Sequence, residues 1–441
     1  MSNNRNSKSL GLKELVAIAI GGMVGGGIFT ILGISVSLIG FLTPIAITIG
    51  GVVAGLAAYS YVKLGLYYRD EGATYAFVKK TYPKEKFPSA VIGWLVIFGY
   101  ISTLAIYAYT FSSYAISGTD FANNLWARKA IALGVLALFT SINVWSVNGM
   151  GKIEDLMVYT KLIILTIISV VLIQHRNIDT LTFMHNLKAD FGSSNFMNIL
   201  IVASLTFVAY EGFQLVINAV NEMKRPKKDT PRAIYTAIAV VILLYVIIAV
   251  GALYAIPLEQ MAKDKEYALA AGTKNAIGSI GQSMVIIGAI LATSSAISGT
   301  LFGSSRQMAE IAEDGFLPNK LAKRERNNIP AFAVISMGVM AAVLILLGGL
   351  RLLVEFGSIT FLIVSLLMAI INFRIRDKTN SSSFITIFAI LGLGLGGILI
   401  LYYEFTHIWE QMLSIIVVYI VLTFGAWIYS EKQEKGKEKR A

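Results

Sequence analysis

The sequence predicts an all-α, polytopic membrane protein, and three observations carry that expectation. Of the 441 residues, 56% are hydrophobic and only 14% charged, and the mean hydropathy of +0.69 is too high for an ordinary soluble domain. Twelve runs supply the roughly 20 predominantly apolar residues that one helical crossing of a bilayer needs. Two of those runs, five apart in order, are interrupted at their centres.

In chain order the runs cover residues 12–38, 43–66, 89–117, 128–148, 153–174, 195–221, 232–256, 281–305, 329–349, 352–373, 384–403 and 408–430. The first is expected to remain as a helix rather than to be cleaved as a signal peptide, because its apolar stretch is too long and lacks a small-residue cleavage site. If the N-terminus is cytoplasmic, the inner segments carry 27 of the 37 lysines and arginines and the outer loops 8, so both termini are expected inside the cell membrane. The net charge of +11 is largely this asymmetry, and no nucleic-acid partner is needed to explain it. Residues 1–11 read as a cytoplasmic, disordered tail. Residues 431–441, "EKQEKGKEKRA", read as a solvated cytoplasmic end able to touch anionic lipid. The polar, helix-prone insertion at 257–278 reads as a surface helix or lid on the outer face. With no cysteine, disulfides and thiolate metal sites are excluded, and no metal site or cofactor is expected. The histidines His175, His185 and His407 read as solvated loop residues, and Lys63 as a lysine snorkelling from the inner end of the second run.

The first interruption is "AIGGMVGGGIFTILGIS", residues 19–35, with five glycines from Gly21 to Gly27. In hydrocarbon every backbone N–H and C=O needs a partner, so non-helical backbone is tolerated only where it lines a cavity or binds something polar. Gly25, Gly26 and Gly27 have no Cβ to hold the helix or to keep a ligand from the main chain. Unwinding there frees amides at the positive end of the outer half-helix, which suits a carboxylate, and carbonyls at the end of the inner half, which suit a cation. A zwitterionic amino acid has both groups. Equally open is the reading that Gly21-x3-Gly25 and Gly22-x3-Gly26 are small-residue packing faces. A dinucleotide loop is excluded, since no strand precedes and no suitable acid follows. The run "LGLGLGG" at 391–397 has no polar company and reads as packing.

The second interruption lies in the sixth run, "IVASLTFVAYEGFQLVINAVNE", centred on Tyr210, Glu211, Gly212 and Phe213. Transporters built from inverted repeats often place discontinuous helices at corresponding positions near the membrane midplane. The second break falls where such a repeat puts it.

At this point the chain resembles the amino acid–polyamine–organocation superfamily of transporters. "GGMVGGGIF" is similar to that family's first-helix Gly-x-Gly-Ile/Val-Phe motif, and "FVAYEGFQ" to its sixth-helix Phe-Ala-Tyr-x-Gly-Phe. "NEMKRPKKDTPRAI" resembles the segment joining helices six and seven, and "MAEIAEDGFLP" the end of helix eight. The resemblance implies a leucine-transporter-like fold of 12 transmembrane helices. Helices 1–5 (12–174) and 6–10 (195–373) would form a 5+5 inverted repeat, helices 1 and 6 would be discontinuous, and helices 11–12 (384–430) would lie outside the repeats. It also implies a substrate carboxylate on the amides of Gly26 and Gly27 beside Gly25, and a substrate amine on the carbonyls of Met23, Val208, Ala209 and Glu211.

Lys161 lies in "LMVYTKLIILTIISVVLI", deep enough in the fifth run to be costly and therefore functional by default. Burial disfavours an ammonium against its neutral amine, so such a lysine can exchange a proton. Snorkelling to the cytoplasmic interface is the structural alternative. The resemblance implies that Lys161 takes the place of sodium in sodium-coupled relatives, with carbonyls near Gly22 and hydroxyls among Thr293, Ser294, Ser295 and Ser298; of these, Ser294 and Ser295 are the expected partners. Hydroxyls in membrane helices more often bond back to the preceding turn.

Glu211 departs from the commoner family pattern, which has a small or apolar residue there. Its carboxylate could select a cationic substrate, carry a second proton, or turn away to bond neighbouring helices. The expected function is import of amino acids by alternating access, proton-coupled and sodium-independent, with substrate, protons and lipid as the only partners implied. An obligatory exchanger is the alternative, and a potassium-uptake protein or channel a more distant one, since no carbonyl-filter run such as Thr-Val-Gly-Tyr-Gly is present. No His-Glu-x-x-His, Gly-x-Ser-x-Gly or paired intramembrane aspartates point to an enzyme. Substrate identity and oligomeric state are not legible.

Overall fold

The computed structural model describes residues 10–70, 72–145, 150–220, 223–264, 267–325 and 329–438, so most of the N-terminal tail, the extreme C-terminus and Asn221–Glu222 of the joining segment lie outside the described residues. The described chain is helical, and its isolated β-bridge joins Leu10 to Met223. The first run is divided into α1 (Leu12–Met23) and α2 (Gly27–Ile39), and α3 (Thr43–Tyr68) follows after a single 3-10 turn at Gly40–Leu42. Next come α4 (Ala73–Thr81), α5 (Lys86–Ile116), α6 (Leu125–Trp145), α7 (Met150–Gln174) and α8 (Thr180–Ser193). The sixth run is α9 (Phe196–Thr206), a 3-10 turn at Phe207–Tyr210 and the short α10 (Leu215–Asn218). The remainder is α11 (Pro226–Ala255), α12 (Leu258–Lys263), α13 (Ala268–Ile277), α14 (Ser279–Glu313), α15 (Ala331–Leu347), α16 (Leu350–Arg374), α17 (Arg376–Thr379), α18 (Ser383–His407) and α19 (Trp409–Glu438).

Ten helical stretches among the described residues are long and apolar enough to cross a membrane, against twelve expected runs. The difference has local causes. The break leaves α1 only 12 residues long, α2 and α3 run on as one stretch through the 3-10 turn, and α15 has 17 residues. Among the described residues every run nevertheless falls on helix, interrupted in the first and the sixth.

Long side-chain-covered helices form the interior. Almost the whole inner part of α5 is buried, from Leu95 through Tyr114 with Phe111 half-buried, and it packs on α14, α16 and α19. Outward faces of α7, α18 and α19 expose Ile163, Leu391, Val417 and Phe424, as expected for helices whose solvent is lipid. Lys63 donates to the Asn380 carbonyl at 2.5 Å and lies over the Tyr59 ring, a half-buried position at a helix end that fits snorkelling.

Two expectations are corrected. His185 stands on a helix, α8, rather than in a loop, and His407 is the last residue of α18, though all three histidines are exposed. Helix α8 itself was not anticipated. Asp179 caps it by accepting from the Thr182 amide at 2.7 Å, and Asp190 near its end accepts from the Phe41 amide at 2.8 Å, pinning α8 to the turn where Gly40 has φ +53°. The insertion at 257–278 folds as two helices, α12 and α13. Helix α13 buries Leu269, Gly272 and Thr273, and Tyr267 ahead of it donates to Asn123 Oδ1 at 2.9 Å. Of the 391–397 glycines, Gly396 packs on Ser204 and Leu362 while Gly394 and Gly397 face open space, so packing accounts for only part of that run.

Candidate functional site

The two breaks lie against each other. After Met23 the chain leaves helical geometry at Val24 (φ −83°, ψ 73°) and re-enters it at Gly27, with Gly26 as N-cap and no capping side chain. In the second break Glu211 is extended (φ −68°, ψ 137°) and Gly212 has φ +131°, where a side chain is strained. A Cβ on Gly212 would stand 2.3 Å from the Gly22 carbonyl carbon, and one on Gly22 would stand 2.9 Å from Gly212 Cα. Gly27 meets Ala209 in the same way, at 2.7 Å from its Cα. The glycines therefore serve both open readings at once: they allow the break, and they let the broken backbones touch.

Free carbonyls at the first break are taken up by side chains. Lys161, fully buried on α7, donates to the Gly21 carbonyl at 3.1 Å, the Val24 carbonyl at 2.5 Å and Ser295 Oγ at 2.9 Å. The three donors of an ammonium thus meet three acceptors on α1, its break and α14. Snorkelling is overturned by this geometry. Ser295 is the expected hydroxyl and also donates back to Ala292 at 3.1 Å. Ser294 is buried in the same turn of α14, and Thr293 bonds back to Ala289. Carbonyls near Gly22 are the expectation, and the two that meet the lysine lie one residue before it and two after. Gly21 and Val24 bind the lysine, whereas the Gly22 carbonyl accepts from the Tyr107 hydroxyl at 3.3 Å.

The expected amine-binding carbonyls are brought together by a residue that sequence reasoning missed. Tyr245 on α11 points its hydroxyl at the carbonyls of Met23 (2.8 Å) and Ala209 (3.1 Å), one from each break. Its only sequence signal was a phenol in a mostly aliphatic run that also holds Tyr235 and Tyr254. The Val208 carbonyl accepts from the Glu211 amide at 3.2 Å. At the other end of the break, the first turn of α2 faces a hydroxyl pair: Thr30 and Thr110 Oγ1 atoms are 2.7 Å apart, and Thr110 Oγ1 is the atom nearest a Cβ built on Gly26, at 2.9 Å.

Removing the Tyr245 hydroxyl should loosen this junction. Tyr245→Phe is expected to lower stability by about 0.5–1.5 kcal/mol, the usual net value of one hydrogen bond, read as a lower midpoint in thermal unfolding of the detergent-purified protein. An unchanged midpoint would mean that the junction does not depend on that bond.

Glu211 is buried, 3% exposed. Its Oε2 accepts from Gln214 Nε2 at 2.5 Å, and Gln214 Oε1 accepts from the Gly212 amide at 3.0 Å. The carboxylate is thus held within its own break rather than turned onto neighbouring helices. It lines a cavity of about 10 Å³ shared with Tyr100, Thr103, Tyr107, Thr300 and Phe361, room for one water and far too little for an amino acid. The two breaks are closed on each other in this conformation. A cavity of about 720 Å³ lies elsewhere, in an aliphatic and aromatic crevice lined by residues of α16, α18 and α19 such as Ile363, Tyr419 and Phe424, and contains none of the break residues.

Comparison with known proteins gives a consistent result. The model of the amino acid permease family matches residues 10–422. The chain is 28% identical over 403 residues to an uncharacterized protein of Methanocaldococcus jannaschii, covering 90% of each chain. It is 30% identical over 384 residues, 86% of each chain, to the inner membrane transport protein YbaT of Escherichia coli. To the branched-chain amino acid permease BcaP of Bacillus subtilis it is 25% identical over 455 residues, covering 97% of this chain and 94% of that one.

Proposed function

We infer the function from one premise: the chain belongs to the amino acid permease family, within the amino acid–polyamine–organocation superfamily. It is a multi-pass membrane protein whose substrates are amino acids, and the finer reading is a secondary active importer of the cell membrane working by alternating access. The observation that carries this is the apposition of two broken helices whose amides and carbonyls can take the two charges common to every amino acid. Twelve helices in a leucine-transporter-like 5+5 inverted repeat fit the two breaks, five runs apart, and the basic-residue asymmetry supports both termini inside.

In this reading the substrate carboxylate rests on the amides of Gly26 and Gly27 at the start of α2, next to Gly25, where the helix dipole favours an anion. The ammonium replaces the Tyr245 hydroxyl at the carbonyls of Met23 and Ala209, with Val208 and Glu211 carbonyls beside them. Backbone groups read what all amino acids share, so the side-chain preference lies with the surrounding walls. Branched-chain amino acids, named for the Bacillus relative, are one class to test.

Coupling is assigned to protons, with Lys161, Ser295, Ser294 and the carbonyls around Gly22 as the switch and the proton gradient as the energy source. The ammonium tied to the first break from α7 supports this reading, since the resemblance puts sodium at that place in sodium-coupled relatives. The experiment is uptake of radiolabelled amino acids by proteoliposomes under separately imposed sodium and pH gradients. Accumulation driven by an inward proton gradient without sodium is expected. Uptake that appears only with amino acid preloaded inside would favour the obligatory exchanger instead.

The backbone site has its own test. Gly26→Val puts branched carbon against Thr110 and Tyr107, at 2.9 and 3.2 Å for the first atom alone, and covers the amide approach. Uptake is expected to fall to background while the amount of protein in the membrane is unchanged. Wild-type uptake by the inserted variant would remove Gly26 from the site.

A further inference from the structure

The Lys161 switch leaves a second buried ionisable group unused. Glu211 Oε1 has no hydrogen-bond partner among the described residues and is inaccessible to solvent, while Oε2 receives the Gln214 amide. The carboxyl lines the water-sized cavity against Gly22, Tyr100, Thr103, Tyr107, Thr300 and Phe361. None of the cavity's lining residues is a lysine, arginine or histidine. The titratable groups that face Glu211 are phenols: Tyr61 on α3, and Tyr100 and Tyr107 on α5. From α14 comes Thr300, from α16 Phe361, and from α1 the uncharged Gly22. A bare carboxylate in such surroundings is costly, and a neutral acid much less so.

We propose that Glu211 is a second proton-carrying group of the transport cycle, set on the opposite side of the first break from Lys161. The connection is short. The cavity wall includes Tyr107, whose hydroxyl donates to the Gly22 carbonyl, and the next carbonyl along, Gly21, accepts from Lys161. The same four residues, Gly21 to Val24, are gripped by the lysine from one side and touched through Tyr107 from the other. When the two breaks separate, the cavity gains water, and the carboxyl releases its proton to that water. When it takes up a proton again it can return to the closed, dry state. No bond other than O–H is made or broken, and the proton passes between the carboxyl oxygen and solvent.

This proposal rests on the proton-coupled reading above, and its test separates the two. Glu211→Gln mimics the neutral acid in shape and cannot release a proton. In proteoliposomes under an imposed pH difference, the variant's steady-state accumulation ratio is expected to fall by about tenfold for each unit of that difference, the loss of one coupled proton. By infrared spectroscopy of the purified protein, a protonated-carboxyl band is expected in the wild type, shifted or lost on adding the transported amino acid, and absent in Glu211→Gln. An unchanged accumulation ratio overturns the proposal, as does a loss confined to cationic amino acids, which would make Glu211 a reader of substrate charge. Displacement of the band by sodium chloride, but not by potassium chloride, overturns it in favour of a sodium site. If wild-type uptake ignores the pH gradient, the proton-coupled reading fails. The Glu211 proposal falls with it, whereas a pH-driven wild type with an unchanged accumulation ratio in Glu211→Gln, or with a band that is missing or unmoved by substrate, overturns the Glu211 proposal alone.

Discussion

Lys161→Ala is expected to reduce gradient-driven amino acid uptake to background. The substitution removes the hydrogen bonds that the ammonium makes to Gly21, Val24 and Ser295, and leaves buried carbonyls without that donor at about 1–3 kcal/mol each. It also removes the group whose charge would change as the outer pH falls below the inner pH and uptake rises. Lys161→Arg is expected to fail as well. A guanidinium keeps its charge at any accessible pH and presents a planar fork rather than three converging donors. Radiolabelled uptake by proteoliposomes under sodium and pH gradients is the measurement, with substrate-induced thermal stabilisation in detergent as the check that binding persists. A fully active alanine variant, or strict sodium dependence of the wild type, would refute the coupling role while leaving the family and the amino acid site intact.

The second large effect is expected at Gly212. Its φ of +131° is open to glycine and strained for any side chain, at about 1–3 kcal/mol. The added methyl would also stand 2.3 Å from the Gly22 carbonyl carbon and 2.6 Å from the Met23 nitrogen. Those are backbone atoms and no rotamer change relieves them. Gly212→Ala should therefore force the two breaks apart, lower the unfolding midpoint more than other single-methyl additions, and abolish uptake. Gly55→Ala on α3 is the matched control, because a Cβ there meets nothing within 4 Å, and it is expected to behave as wild type. Equal behaviour of the two variants would mean that the contact between the breaks is dispensable.

Much of this arrangement could be read from residue order, and the parts that could not share a cause. Both breaks were legible because glycine clusters and a Tyr-Glu-Gly-Phe run violate the rule that a membrane helix is filled with bulky apolar residues. Lys161 was legible because a lone charge in an apolar run is costly wherever it points. Which of the carbonyls near Gly22 it would meet was not, since what an unwound segment turns towards α7 depends on the dihedral angles at Val24 and Gly25. The choice among Thr293, Ser294 and Ser295 depends on the phase of α14, where adjacent residues are 100° apart. Tyr245 was hidden for a related reason: a phenol on a long apolar helix carries no mark of the carbonyls it will meet from two distant segments. Helix α8 escaped notice because its mixed composition resembles a loop, and its anchoring through Asp190 to Phe41 spans 149 positions.

The Tyr245 bridge between Met23 and Ala209 also bears on how tightly a carrier can hold its cargo. At the proposed site, a ligand ammonium arriving at those carbonyls would displace a neutral hydroxyl whose single hydrogen the two oxygens share. The net gain is the difference between a charge-assisted hydrogen bond and an ordinary one, a factor of roughly two in strength, less the loss of the phenol's own partners. On that reading occupancy would be a swap of cargo ammonium for phenol, with the phenol placed to retake the site as the cargo departs. Slow dissociation would stall a carrier on the receiving side of the membrane. A junction that closes on its own hydroxyl gives the emptied protein a compact resting state from which to turn back.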